Sequence, residues 1–333
     1  MSYDVPSRLE GWHVRHRGAA SLEVSDFFLR EENLAQPDEG EVLVRTRWLS
    51  LDPYLSFAMI GSGDGGASWP VQGRIIGEVV QSRAKNVPVG STVLGTGQWR
   101  EWNVLRGADV DVLPGDPHWP STVHFGVLGA SGLTAWVGMT LAAVQPGETI
   151  LISAATGPVG SVCGQIARER GARVLGIAGG EEKCRLAVSR YGYDDCLDHR
   201  LPGLSDRLVA AAQTGIDVLF ENVGAPSLDP ALSAIVEGGR VILCGLAAHY
   251  RTGDPITLAN FRLILRKHLT IRGFAWTEHR DMHPAGRAWL TERLAKGTLA
   301  YDETVSTGLP QAAEAYVAML SGKGLGKHLL QLP

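Results

Sequence analysis

The chain has 333 residues, enough for two hydrophobic cores, and its 44% hydrophobic and 20% charged content describes a folded globular protein and excludes a disordered or fibrous one. A net charge of −4 without a basic cluster argues against nucleic acid as a partner, which needs a concentrated positive face. No apolar run approaches the ~18 residues of a membrane span, and Asp4, Arg8 and Glu10 interrupt any secretory pattern, so a cytoplasmic protein is expected.

From Trp12 to about Leu105 short strands alternate with turn residues. Strands are expected at Leu22–Leu29, Glu41–Ser50, Arg74–Ser82, Thr92–Gly97 and Trp99–Leu105, forming a β-rich, barrel-like domain. His13 and His16 sit three apart in a strand-like stretch and so point to opposite faces, unable to share an ion. Gly61–Ser68, GSGDGGAS, reads either as a solvated linker or as a lid over a pocket. Trp69, Trp99 and Trp102 offer apolar surface for a substrate mouth, although core packing explains them equally well. Trp99 and Trp102 should face opposite ways, so at most one of the two lines a pocket.

From Ile150 to about Lys296 strands alternate with amphipathic helices. After Thr149–Ser153, strands are expected at Arg173–Ala178, Asp195–Leu197, Val218–Asn222, Arg240–Cys244 and Thr270–Phe274. Helices are expected at Glu181–Tyr191, Leu204–Ala212, Ser227–Ile235, Leu258–Leu265 and Pro284–Lys296. Six such strands imply a doubly wound parallel sheet, whose ligands sit beyond the carboxyl ends of the strands.

The richest stretch is Thr149–Arg170, where an apolar strand breaks at small residues and restarts as a helix. Ala155-x-Gly157-x-x-Gly160 turns without bulky side chains, and Val159, Val162, Ile166 and Ala167 recur at helical spacing. A helix start presents backbone N–H groups and a positive dipole end to an anion such as a dinucleotide pyrophosphate. Pro158 cannot donate but suits the first helical position, leaving Val159 and Gly160 as the expected donors.

The second strand ends at Ala178-Gly179-Gly180 with no acid to accept from a ribose 2′-hydroxyl. Lys183 follows within a turn, and His199 and Arg200 come after the third strand, so NADPH is favoured over NADH. Glu181 and Glu182 count against this, although their place at a helix start lets the dipole explain them. Cys163, Cys184, Cys196 and Cys244 match no zinc spacing and read as free core thiols. His279 and His283, four apart, lack a carboxylate partner at metal spacing. The stretch Thr304–Pro333 is expected to open with the helix Pro310–Leu320 and end in the strand Lys327–Leu332, returning to the first domain.

Eight motifs now stand in order: LSLDPYL (Leu49–Leu55), LGASGLTAWVGM (Leu128–Met139), SAATGPVGS (Ser153–Ser161), AGGEEK (Ala178–Lys183), FENVGA (Phe220–Ala225), CGLAAHY (Cys244–Tyr250), RGFAW (Arg272–Trp276) and GLGK (Gly324–Lys327). In order and spacing they resemble the zinc-independent medium-chain dehydrogenase/reductase superfamily, within the group of prostaglandin reductase, plant double-bond reductase and curcumin reductase. The resemblance implies a GroES-like catalytic domain at 1–124, completed by 300–333, and a Rossmann domain at 125–299. It also implies a homodimer and NADPH-dependent reduction of the C=C bond of an α,β-unsaturated aldehyde or ketone.

Carried onto this chain, the resemblance gives Gly157, Pro158, Val159 and Gly160 to the pyrophosphate and Gly179, Lys183 and His199 to the 2′-phosphate end. Asn222, the loop Cys244, Gly245, Leu246, Ala247, Ala248, His249 and Tyr250, and Phe274, Ala275 and Trp276 line the cofactor path, with Thr134 near the nicotinamide ribose and Gly324 in the terminal loop. Departures from the pattern are Gly180 for a serine, His199 for a tyrosine, Gly324 for an asparagine, Ser56 for an arginine and Arg266 for a tyrosine. Zinc-dependent members need a Gly-His-Glu motif and a four-cysteine lobe. This chain reads Gly73-Arg74-Ile75-Ile76-Gly77-Glu78 there and has no cysteine in the first domain.

Without a metal, hydride delivery to the β-carbon needs donors aimed at the oxygen that becomes negative. A phenol stays protonated at neutral pH and can donate. Tyr54, presented by the Asp52-Pro53 turn, is the first candidate and Tyr250 the second, with service to the cofactor as the alternative for Tyr250. Two rival readings remain: a quinone reductase on the same scaffold, and a nucleotide-binding protein without catalysis.

Overall fold

A computed structural model describes residues 3–15, 22–60, 68–115, 118–250 and 255–333. His16 and the glycine-rich stretch at 61–67 lie outside these residues. In chain order the first part contains β1 (Arg8–Arg15), β2 (Phe27–Asn33), β3 (Glu41–Leu51), α1 (Leu55–Ile60), β4 (Ser68–Pro70), β5 (Gln72–Ser82), β6 (Thr92–Gln98), β7 (Trp102–Arg106) and β8 (Asp111–Val112). The second contains α2 (Ala130–Ala142), β9 (Thr149–Ser153), α3 (Gly160–Glu169), β10 (Arg173–Ala178), α4 (Glu181–Tyr191), β11 (Asp195–Asp198), α5 (Leu204–Ala211), β12 (Ile216–Glu221), α6 (Ala225–Ala231), β13 (Ile235–Leu243), α7 (Arg262–Arg266), β14 (Thr270–Gly273) and α8 (His283–Ala295). The chain closes with β15 (Glu303–Thr307), α9 (Ala312–Leu320) and β16 (Lys327–Gln331).

The second part is a parallel sheet in the order β11-β10-β9-β12-β13-β14, so the first strand lies in the middle and the order reverses between β9 and β12. That is the doubly wound arrangement. Helices cover both faces, which is why β9, TILIS, is buried at every position and apolar at three of them. The first part forms a mixed sheet, β15-β16-β3-β5-β6-β8 with β7 on β3, and a smaller sheet β2-β1-β4. β16 pairs antiparallel with β3, so the last strand completes a sheet begun some 280 residues earlier, as the sequence led us to expect of this strand.

Boundaries differ where local signals compete. Leu22–Leu29 splits into a 3-10 turn, Val24–Asp26, held by Asp26 accepting from the Glu23 N–H, and only then β2. β7 starts at Trp102 because the Asn103 side chain accepts from the Gln98 N–H and closes a turn before it. The helix expected over Ser227–Ile235 is Ala225–Ala231, with Pro226 in its first turn and Pro230 near its end, and Ile235 already belongs to β13. The helix expected over Leu258–Leu265 shrinks to Arg262–Arg266. The tail opens with β15, a strand that pairs with β16 and was not anticipated.

Candidate active site

The turn after β9 reverses the chain sharply. Ala154 takes a left-handed φ of 50°, and a Cβ on Gly160 would collide with the Ala154 carbonyl, so glycine at 160 is a steric requirement. The reversal delays the helix: it begins at Gly160 with Val159 as its cap, and Pro158 stands before the cap, not at the first helical position. The donor expectation is unaffected. The Ser161 N–H bonds to Gly157 O, and those of Val162 and Cys163 bond to Val159 O, while the N–H groups of Val159 and Gly160 have no acceptor among the described residues. Gly326 donates to Thr156 O at 3.0 Å, seating the C-terminal loop on this turn.

Beyond β10, the Gly179–Gly180 backbone carries cations. A Cβ on Gly179 would lie 2.9 Å from His199 Nε2 and 3.3 Å from Arg200 Nε, and one on Gly180 would lie 3.1 Å from Arg200 Nη1. The Arg200 guanidinium therefore rests on two glycines, with no acceptor for its N–H groups among the described residues. Burial and the Arg200 charge pull Lys183 below its ordinary value, and burial with the same neighbours lowers His199 despite Asp198. Three basic groups thus repel one another at one spot, the electrostatic complement of a phosphate. The nearby acid is occupied: Asp198 Oδ1 accepts the N–H groups of Gly180 (2.8 Å) and Arg200 (2.9 Å). Lys183 Nζ bonds Gly322 O at 2.8 Å, a second link to the C-terminal loop. A Cβ at Gly324 would run into the His328 ring, which is why no asparagine fits there.

At the switch point Glu221, fully buried, organises the next loops. Its Oε1 accepts from Ser153 Oγ (2.9 Å), Val223 N (2.5 Å), Gly224 N (2.8 Å) and Ser227 Oγ (2.8 Å), and burial still raises its pKa. Its backbone oxygen accepts from Cys244 and Gly245, while Asn222 donates to the hydroxyl and the carbonyl oxygen of Ser153 and its own carbonyl accepts the Ala247 N–H. The loop of residues 244–250 is thereby fixed against β9 and β12. His249 Nε2 accepts from Ala225 N at 3.0 Å, Leu246 N donates to Tyr250 OH at 3.0 Å, and burial with Glu221 pushes the Cys244 thiol up to about 12. Thr134 is half-buried on α2, as is Trp136, between buried neighbours. The Phe274 ring meets Phe220 edge-on and the Trp276 ring lies against His283, and both side chains are only partly buried.

Tyr54 follows β3 on the Asp52-Pro53 turn and is 48% exposed. Burial, then the Asp52 charge, raises its pKa, so it remains a phenol. The turn rests on a buried ion pair: Lys327 Nζ donates to Asp52 Oδ1 (2.9 Å) and Leu51 O (2.8 Å), and Ser50 Oγ donates to Asp52 Oδ2 (2.5 Å). It also reaches the other part of the chain. Ser56 Oγ lies 2.7 Å from Tyr250 O, and the Phe57 and Tyr250 rings meet edge-on at 4.7 Å. Both candidate tyrosines therefore belong to one assembly. Trp99 and Trp102 are buried in separate clusters and serve packing, with Trp69 half-buried against the first.

Sequence reasoning counted Arg200 among the cations that favour NADPH and Asp52 as part of the turn that presents Tyr54, but missed Glu221 and the Lys327 partner of Asp52 as site builders. A charge ending an apolar strand, as in Ile216–Glu221, was the available signal. Among the described residues, no three His, Cys, Asp or Glu side chains converge on a point that could hold a metal ion.

A doubly wound sheet whose glycine turn offers N–H groups without an acceptor among the described residues, joined to a β-rich part that carries a half-exposed phenol next to the Tyr250 loop, defines a dinucleotide-dependent oxidoreductase. Comparison with known proteins agrees. Residues 158–292 match the family described as zinc-binding dehydrogenase, and residues 10–113 the N-terminal domain of oxidoreductase. The NADPH-dependent curcumin reductase of Escherichia coli is 34% identical, with 96% of each chain covered. The NADP(+)-dependent 2-alkenal reductase of tobacco is 29% identical over 88% of each. The crystal structure of CurA from Vibrio vulnificus in complex with NADPH superposes with a TM-score of 0.90 at 31% identity, covering 97% of this chain and 99% of that one. The chain belongs to the zinc-independent medium-chain dehydrogenase/reductases, in the group that contains the curcumin, prostaglandin and 2-alkenal reductases.

Proposed function

We propose that this protein is an NADPH-dependent reductase of the C=C bond of α,β-unsaturated aldehydes or ketones. The observation that carries the reading is the half-exposed phenol of Tyr54 on a turn tied directly to the Tyr250 loop, in a chain that also carries a glycine turn and a cationic cluster suited to a dinucleotide phosphate. The unpartnered N–H groups of Val159 and Gly160 hold the pyrophosphate, and Lys183, His199 and Arg200 surround the 2′-phosphate. NADPH, when bound, supplies the hydride. Tyr54 OH donates to the carbonyl oxygen as negative charge gathers on it, and its raised pKa keeps that proton in place through neutral pH. Tyr250 OH, which accepts from Leu246 N–H, retains its own proton for the same oxygen or for the cofactor ribose.

The chain divides, on this reading, into a catalytic domain at 1–124 completed by 300–333 and a cofactor domain at 125–299, in a cytoplasmic homodimer. For the dimer, β14 is an exposed edge strand that carries the exposed Ile271, and Phe261 and Leu265 share a surface with Leu269 just before it, the kind of edge a second copy can cover.

The test is NADPH and NADH consumption with a panel of enals, enones and quinones, using wild type, Tyr54→Phe and Tyr250→Phe. NADPH-linked turnover of enones, with kcat/KM falling about 10²-fold in at least one variant, supports the assignment. Turnover of quinones alone points to the sister activity. Tight NADPH binding with no acceptor reduced points to a non-catalytic nucleotide-binding role. Full kcat/KM in both variants removes the tyrosines from the chemistry.

A further inference from the structure

Two of the four cysteines meet beside the phosphate end of the cofactor site. Cys184 comes from the first turn of α4 and Cys196 from β11. Cys196 Sγ lies 3.1 Å from where a Cβ on Gly176 would stand, so it points to the sheet face that α4 covers. Cys184 belongs to the core on that face, and Cys196 packs against the same core. α4 packs directly on β11, which brings the two cysteines to the same place. Both also line a surface cavity of ≈ 790 Å³ together with Glu181, Arg185 and Asp195, open to small solutes. Cys163, by contrast, is wholly buried.

We propose that Cys184 and Cys196 form an oxidative modification site, in which a hydroperoxide closes the pair to a disulfide and the cross-link weakens binding at the 2′-phosphate end of the cofactor site. The two sulfurs have different parts. Cys184 sits in the first turn of α4, where a helix start favours an anion, so it is the nucleophile. Its sulfur attacks the peroxide: an S–O bond forms as the O–O bond breaks, and the departing alcohol or water takes the thiol proton. Cys196 then attacks the resulting sulfenic sulfur, an S–S bond forms as the S–O bond breaks, and the hydroxyl leaves as water with the Cys196 proton. Two thiols give up two electrons and two protons, and one peroxide is reduced. A dithiol reverses the change by exchange.

The consequence for the cofactor follows from chain position. Lys183 precedes Cys184, and Asp198 and His199 lie two and three residues after Cys196. A disulfide draws the sulfurs to about 2.05 Å, closer than two free thiols can approach, pulling the start of α4 towards β11. Lys183 and the Gly180 N–H bond to Asp198 shift with it. This half rests on the NADPH reading, while the cross-link itself does not.

The test treats the full chain with hydrogen peroxide, maps alkylated peptides by mass spectrometry and titrates NADPH and NADH by fluorescence before and after. We expect a linked 184–196 peptide lacking two hydrogens, reversal by dithiothreitol, and an NADPH Kd raised at least ~3-fold with the NADH Kd unchanged. Cys196→Ser, with Cys196→Ala as a second variant, should abolish both responses. Over-oxidation of Cys184 without the linked peptide, or a linked protein with an unaltered NADPH Kd, overturns the proposal. Reduced protein that binds no NADPH overturns the cofactor reading and the affinity half with it, and the peptide map still judges the cross-link.

Discussion

Lys327 Nζ lies 2.9 Å from Asp52 Oδ1, joining residues 275 positions apart beneath the turn that carries Tyr54. The lysine side chain is 4% exposed and the aspartate 16%. Burial opposes the Asp52 charge, but Lys327 and the Ser50 hydroxyl outweigh it and hold the carboxyl below its ordinary range. The pair welds the last strand to the candidate catalytic turn.

Removing one partner strands the other. Asp52→Asn should destabilise the protein by about 3 kcal/mol, the usual cost of an uncompensated buried charge, and should lower kcat/KM through displacement of Tyr54. Urea unfolding monitored by fluorescence checks the first effect, and a loss below 1 kcal/mol would show that Lys327 finds other partners.

His328 makes stability depend on pH. Burial, then the charges of Lys327 and Lys183, lower its pKa from 6.5 to about 4. The unfolded chain takes up a proton near pH 6.5 and the folded protein does not until about pH 4, so stability is full above 6.5 and drains as pH falls through that window. The loss is at most about 3 kcal/mol. Thermal melts from pH 7.5 to 4.5 should show a steeper decline in wild type than in His328→Gln, and parallel curves would refute the assignment.

Glu221 has four donors on one carboxylate oxygen. Glu221→Ala leaves all of them unmet in the interior and should cost about 3 kcal/mol or more, whereas Glu221→Gln, which keeps an acceptor, should cost about 1 kcal/mol. Equal effects in chemical denaturation would contradict this account.

Arg200 distinguishes the cofactors if it meets the 2′-phosphate. Arg200→Ala should weaken NADPH binding about 10- to 100-fold, the range of one charge-assisted hydrogen bond, and leave NADH unaffected. Gly179→Ser should imitate it by displacing the guanidinium from its seat. Fluorescence titration decides, and a like loss for both cofactors would place Arg200 in folding instead.

The sequence by itself determined what depends on neighbours along the chain. The strand-turn-helix of residues 149–170, the bounds of α4 and the glycine step after β10 were legible, because hydrophobic period and backbone sterics act over a few residues. The order of eight motifs added Tyr54 and Tyr250. Tertiary structure alone decided which distant groups meet. β15, with its outward-facing residues, shows no strong period and becomes a strand only because β16 pairs with it. Lys327 reads as an ordinary surface cation until Asp52 arrives from the far end of the chain, and Arg200 as a loop charge until two missing side chains make room for it. Such contacts rest on desolvation and Coulomb energy between residues remote in sequence, and no local pattern records them.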